Sequence, residues 1–167
     1  SGKTIAAALQ QGKLTKVIPY YRPWKYGDSA VLAQRPNGKH GAVINFMYGK
    51  SYTAEYRYDK QQDKYLRFTG GRAMIDRTTK KQITVRNVVI VNVPKEKVLD
   101  RTGRLDINVL GKGTGYVLTG GKNISITWSK KSDRARTIFT DAKTKQEIIL
   151  TRGNTWIEVV PKGHTYK

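Results

Sequence analysis

The run NVVIVNV, residues 87–93, narrows the folds open to this chain more than any other stretch. It is apolar through its middle and rich in β-branched side chains, and it is too short for most helices. Such a run is expected to be a β-strand covered on both faces, because neither of its faces offers water a polar surface.

The surrounding sequence keeps a rhythm of two. In AVINFMYGKSYTAEYRYD, Val43, Asn45 and Met47 stand opposite Ile44, Phe46 and Tyr48. After Gly49 and Lys50, Tyr52, Ala54, Tyr56 and Tyr58 share one face, with Thr53, Glu55 and Arg57 on the other. That alternation marks half-buried strands. KQQDK (60–64) reads as a polar turn, and YLRFTGG as the returning strand. GRLDINVL (103–110) alternates again, with Leu105, Ile107 and Val109 facing away from Arg104, Asp106 and Asn108. TGYVLT, NISITW, RTIFT, QEIILT and TWIEVV follow as short strands, parted by GG, SKKSDRA, DAKTK and RGN. Strands at a spacing of roughly 8–12 residues suggest a sandwich or small barrel. No βαβ rhythm is present, so no parallel sheet is expected, and no repeat of fixed period occurs.

The start differs. SGKTIAAALQQG has the alanines of a short helix and a stop at Gly12. KLTKVIPYYRPWKYGD reads as extended linker or irregular edge, and QRPNGKHG (34–41) as a loop. The expected fold is therefore an all-β domain over residues 23–167, mainly antiparallel, barrel-like or sandwich. A connector helix and linker precede it over residues 1–22.

A content of 38% hydrophobic residues, with ten tyrosines and three tryptophans, supports a packed core. No apolar run approaches the roughly 20 residues of a membrane-spanning helix. The absence of cysteine excludes disulfides, thiolate metal sites and cysteine nucleophiles. Thirty-two Lys and Arg against 12 Asp and Glu give a net charge of +20, and the charge is spread along the chain. A field of that sign draws polyanions: nucleic acid, anionic lipid or anionic polymers. A solvated basic surface with no dedicated ligand has the same composition.

GKGTGYVLTGGKN (111–123) looks at first like a phosphate-binding loop. A P-loop ending on Gly121-Lys122 would need glycine where Tyr116 stands and Ser or Thr where Asn123 stands. A dinucleotide loop would need glycine at Tyr116 or Leu118. The segment instead fits two strands, 114–119 and 122–128, around a Gly120-Gly121 turn. A backbone anion nest helped by Lys112 or Lys122 is the alternative. SGKT at residues 1–4 would need its first glycine ahead of residue 1, and is expected to be helix-start residues at a fragment end.

Catalytic groups are sparse. His40 and His164 have no neighbouring carboxylate in sequence and read as surface histidines, and no metal-ligand spacing appears. No catalytic residue, metal or cofactor is therefore assigned. Asp106 is the acid of most interest, two residues from Arg104 on one strand face. The pair is either a solvated ladder or a ligand-fixing couple. SKKSDRAR (129–136) brings Lys130, Lys131, Arg134 and Arg136 around Asp133, as a solvated loop or an anion-attracting patch. YYRPWKY (20–26) interleaves aromatics with Arg22 and Lys25. That suits packing of an arm on the domain, or stacking on single-stranded nucleic acid.

Taken in order, three blocks carry a resemblance over residues 23–161. They are YTAEYRYDKQQDKYLRFTGGRAMIDRTTKKQITVRNVVI, GRLDINVLGKGTGYVLTGGKNISITWSK and GNTWIEVVP. The chain resembles the C-terminal domain of the YerB-like family of bacterial lipoproteins, a family of unknown function. Residues 1–22 resemble the connector after that family's N-terminal domain. The resemblance implies an exported protein, lipid-anchored upstream of this segment and facing outward from a Gram-positive-type membrane. It brings no reaction, cofactor or catalytic residue. The leading expectation is a non-catalytic binding or interaction module. Its basic surface would meet an anionic polymer, a lipid surface or a protein partner. A nucleic-acid-binding β domain is second, and an enzyme centred on Asp106 third.

Overall fold

In a computed structural model of the chain, residues 11, 23–28, 41–46 and 48–167 are described. The expected N-terminal helix, the linker to residue 22, the loop at 34–41 and His40 lie outside these residues, apart from Gln11 in a turn and Gly41 in a strand.

The described residues form a layered β structure. The strands are β1 (Lys25–Gly27), β2 (Gly41–Asn45), β3 (Ala54–Asp59), β4 (Lys64–Thr69), β5 (Arg72–Ala73), β6 (Thr84–Val85), β7 (Asn87–Val93), β8 (Lys97–Val98), β9 (Leu105–Asp106), β10 (Gly111–Thr119), β11 (Lys122–Lys130), β12 (Ile138–Asp141), β13 (Ile149–Thr151), β14 (Thr155–Pro161) and β15 (Thr165–Tyr166). One sheet runs β15-β2-β3-β4-β5, with β6 also paired to β4. A second runs β12-β11-β10-β7-β14. Two short pairs, β1 with β13 and β8 with β9, stand apart from both.

β7 is the strand that the apolar run requires. Its even-numbered Val88 and Ile90 enter a core shared with Ala42, Ile44, Ala54, Tyr56, Tyr65, Val85, Leu118 and Val160. Its odd-numbered Val89, Val91 and Val93 enter a second core with Val117, Ile126, Trp128, Phe139, Ile148 and Leu150. The five-stranded sheet is thus the middle layer. The six-stranded sheet covers one face, and β13 with its neighbours covers the other. Alternation on β3 holds as read: Ala54 and Tyr56 are buried, while Arg57 reaches out to bind Glu55 at 2.7 Å.

The glycine segment is a hairpin. β10 and β11 pair from Gly111↔Lys130 to Thr119↔Lys122, around Gly120 (φ 55°) and Gly121 (φ 71°). Positive φ at both central residues is what a tight two-residue turn demands. At Gly115 the reason for glycine is different: an added Cβ would lie 2.0 Å from the Ile90 carbonyl oxygen of β7.

Two expectations are corrected. Parallel pairing does occur, between β14 and β7 over seven residues and between β1 and β13. β14 can run beside β7 because the intervening chain crosses over as the β10–β11 hairpin and β12, not as a helix. The buried Asn87 side chain fixes this junction: it donates to the Thr151 carbonyl at 2.9 Å and Thr155 Oγ1 at 3.0 Å, and accepts from Thr119 Oγ1 and the Thr151 amide. The second correction concerns 103–110. Only Leu105 and Asp106 are strand, because the short β8 offers them no longer partner; Val109 stands exposed.

Candidate functional site

The open end of the β10–β11 hairpin carries the candidate site. There the segment 94–110 and the loop after β11 enclose a cleft of about 440 Å³. Pro94, Lys95, Lys97, Asp106, Ile107, Asn108, Val109, Leu110 and Asp133 line it. That volume falls within the roughly 300–1,000 Å³ of small-ligand pockets. Pairing across β8 and β9 sets Lys97 opposite Asp106, on the cleft side.

The structure sorts the sequence candidates into two ends of the molecule. Asp106 lines the cleft, and Lys112 lies beside it in chain, paired with Ser129. Lys131 and Arg134 flank Asp133 and are exposed. Lys130 Nζ donates to the carbonyls of Asp133 and Ala135, which shapes the loop. Lys122 belongs elsewhere: it is buried at the turn end of the hairpin, eight residues along β11 from Lys130. At about 3.3 Å per residue that is roughly 26 Å. Arg136 is half-buried and bound to Glu147 at 2.5 Å, and Lys25 stands 3.6 Å from the same carboxylate. The Arg136 hydrogen bond, against an opposing effect of burial, holds the Glu147 carboxyl below its ordinary range. Arg104 does not meet Asp106. It pairs with Asp100, whose carboxylate also accepts from Thr102 inside the β8–β9 loop.

Among the described residues, Lys95, Lys97, Lys112, Lys131 and Arg134 are exposed with no carboxylate in ion-pair range. The cleft region therefore gathers cations around two carboxylates, Asp106 and Asp133.

His164 departs from the surface reading. Its side chain is 4% exposed, and Nε2 lies 3.1 Å from Glu96 Oε1. Tyr48 donates to the same oxygen at 3.1 Å, and Phe46 and Tyr48 pack on the imidazole. The Glu96 carboxyl sits below its ordinary value, first through a hydrogen bond from its own backbone amide and then through His164 and Tyr48, with burial opposing. Sixty-eight residues separate the partners, so sequence spacing could not pair them. Alternation through KEK (95–97) does turn Glu96 away from its lysine neighbours, which was the available signal.

A second missed group is buried between the sheets. Tyr56 of β3 donates to Glu158 Oε1 of β14 at 2.5 Å, and Arg67 of β4 lies 3.3 Å from that oxygen. The Arg67 guanidinium is held between the rings of Trp156, 4.2 Å from the centroid, and Tyr56. Burial drives the Tyr56 hydroxyl far above its ordinary pKa, with the Glu158 charge adding to it. The hydroxyl thus stays protonated as a donor. Tyr56, Arg67 and Glu158 are buried, and the group ties the two sheets together as an inter-sheet pin.

The aromatic stretch 20–26 is described from Pro23 onward, and there Trp24 packs while Tyr26 is exposed. Trp24 donates from Nε1 to the Thr137 carbonyl at 2.7 Å and lies 5.5 Å from the Phe139 ring. Among the described residues no group of three or more His, Asp or Glu is placed to hold a metal, and no helix is long and apolar enough to cross a membrane.

Residues 42–157 match the family described as "Protein of unknown function (DUF3048) C-terminal domain". The chain is 31% identical over 107 residues to "Putative lipoprotein YerB" of Bacillus subtilis (strain 168), across 64% of this chain and 31% of that relative. The crystal structure of the YerB protein from Bacillus subtilis shares the fold, with a TM-score of 0.68 at 24% identity over 98% of this chain. The match takes in 52% of that solved chain, so the present chain spans about half its length.

Proposed function

Because the chain belongs to the C-terminal domain family of DUF3048, whose function is unknown, we propose a role from its surface: a non-catalytic binding module of a cell-envelope lipoprotein, whose basic end meets an anionic partner. One observation carries this reading. Lys95 and Lys97 line the cleft, and Lys112, Lys131 and Arg134 lie close in chain to its lining residues, all five without ion-pair partners among the described residues; exposed cations such as Arg72, Arg77, Lys80 and Lys81 are unmatched elsewhere, but border no such cleft. Unmatched cations at one end of a chain of net charge +20 concentrate counter-anions there. The lipoprotein name of the relative favours an envelope setting for the chain and its partner. Packing of Trp24 against Phe139 takes one aromatic of the 20–26 stretch away from base stacking, which weighs against nucleic acid, while Tyr26 stands 39% exposed.

The test is binding of the 167-residue chain to a soluble poly(glycerol phosphate) and to a single-stranded oligonucleotide across a salt series. Affinity for the glycerol-phosphate polymer is expected to fall steeply with salt, with a log–log slope of several units. Lys131→Gln and Arg134→Gln should each flatten that slope by about one unit. Absence of salt-dependent binding would remove the reading. Much tighter binding of the oligonucleotide would transfer the site to nucleic acid.

A further inference from the structure

We propose that the β8–β9 hairpin is a lipid-docking element, setting Val98 and Leu99 into the headgroup region of an anionic bilayer while the cations beside it hold lipid phosphates. The role rests on the reading of this end as anion-facing, and it names the partner as a membrane surface.

Val98 is 68% exposed and Leu99 63%, more than any other large apolar side chain described. Single exposed apolar residues are ordinary, but adjacent ones on a projecting element mark a contact surface. These two sit at the end of a strand pair that belongs to neither main sheet, and neither side chain joins either core. Val109 and Leu110, also exposed, lie on the return segment along the cleft. Among the described residues, nothing buries this apolar pair.

The tip is built to hold its shape. The Leu99 amide donates to the Arg104 carbonyl at 2.8 Å, and Gly103 closes the loop at φ 80°. Asp100 accepts from the Thr102 amide at 2.9 Å and the Thr102 hydroxyl at 2.6 Å, and pairs with Arg104. A preformed loop loses little freedom on docking.

The charges complement an anionic surface. Lys95, Lys97, Arg101, Lys112, Lys131 and Arg134 are exposed on the hairpin and around the cleft. Two of the four carboxylates of the same region are engaged: Glu96 turns inward to His164, and Asp100 binds Arg104. Asp106 and Asp133 remain in the cleft. Each cation near an anionic leaflet raises membrane partition by about fivefold, and apolar side chains in the interface add to this in proportion to buried area.

The chain contains no cysteine, so Leu99→Cys offers a unique position for an environment-sensitive fluorophore. Lys60→Cys, on the exposed β3–β4 turn, is the control. With phosphatidylglycerol vesicles the probe at 99 should brighten and shift to the blue, while the probe at 60 stays unchanged and phosphatidylcholine vesicles have no effect. The double variant V98S/L99S, which leaves the charge unaltered and has an unaltered melting profile, should lose vesicle binding on the order of tenfold while binding poly(glycerol phosphate) as before. Vesicle binding that leaves the probe at 99 unshifted, or that V98S/L99S does not weaken, overturns the docking role and leaves the anion-facing role intact. Binding to the soluble polymer but not to vesicles does the same. Failure to bind either overturns both.

Discussion

The pin between the sheets makes the sharpest prediction about stability. Arg67 and Glu158 have side chains only 10% exposed, and their nearest nitrogen and oxygen are 3.3 Å apart. Arg67→Met removes the cation and leaves the Glu158 carboxylate buried, with the Tyr56 hydroxyl as its donor. Breaking a buried pair from one side costs about 3–5 kcal/mol. For a chain of this size each kcal/mol moves Tm by about 2–4 °C, so the variant should melt roughly 6–20 °C lower. Tyr56→Phe removes the hydrogen bond donated to the Glu158 carboxylate and the one accepted from Arg67 Nη1 at 3.2 Å, and should cost at least about 2 kcal/mol. The informative variant is the double substitution R67M/E158L. It replaces the whole pair with apolar side chains, and such replacements are near neutral. It should return to within about 2 kcal/mol of the parent, which makes the coupling energy large and opposite in sign to the single losses. Guanidinium unfolding, followed by tryptophan fluorescence, measures the parent, R67M, E158L and R67M/E158L, with Tyr56→Phe beside them, and Trp156 on the guanidinium face reports locally. If R67M/E158L lost the sum of the two single effects, the charges would not be acting on each other and the pin would be misread.

Two further outcomes follow from other parts of the chain. Gly115→Ala places a methyl 2.0 Å from the Ile90 carbonyl oxygen and should cost at least about 3 kcal/mol, whereas Gly120→Ala meets open space at φ 55° and should cost about 1 kcal/mol; equal shifts in urea midpoint would contradict the close approach of β10 to β7. The Glu96 carboxyl is held below its ordinary value of 4.5, so its contribution is present above that pH and is lost as pH falls through the lower folded value; Glu96→Gln should be destabilised at neutral pH and converge on the parent in acid, and a stability gap that persists in acid would show that the carboxylate charge is not what matters there.

Much of this architecture was legible because it depends on local geometry. The period of two placed Ala54 and Tyr56 inward and Arg57 outward. The run at 87–93 demanded two cores, and two cores receive it. The glycine pair at 120–121 specified a tight turn, since few other residues tolerate positive φ twice in succession. A finer turn rule was also written in the chain without a glycine to announce it. Asp59, Asp76 and Asp141 each accept amide hydrogen bonds from the residues that follow. Four residues after each, Asp63, Lys80 and Lys145 take positive φ. An aspartate that caps one helical turn, followed by a left-handed residue, closes a hairpin much as two glycines do.

The site was only partly legible. Asp106, Lys112, Lys131 and Arg134 do come together at one end, because β10 and β11 are neighbours in sequence and their pairing carries both flanks along. Lys122 does not join them, since a nine-residue strand separates the two ends of a hairpin. His164 looked like a surface group until Glu96 and two aromatic rings were found around it.

By itself the sequence determined the backbone vocabulary: strand against turn, inward against outward, and the sign of the surface charge. Those properties follow from side-chain period, steric limits on φ and the count of ionisable groups, all of which act over a few residues. Only the tertiary structure decided which charges are neutralised and which face solvent, why an arginine and a glutamate sit in the interior, and that β14 returns parallel to β7. Each of these depends on contacts between residues tens of positions apart, and no short-range rule specifies such a partner.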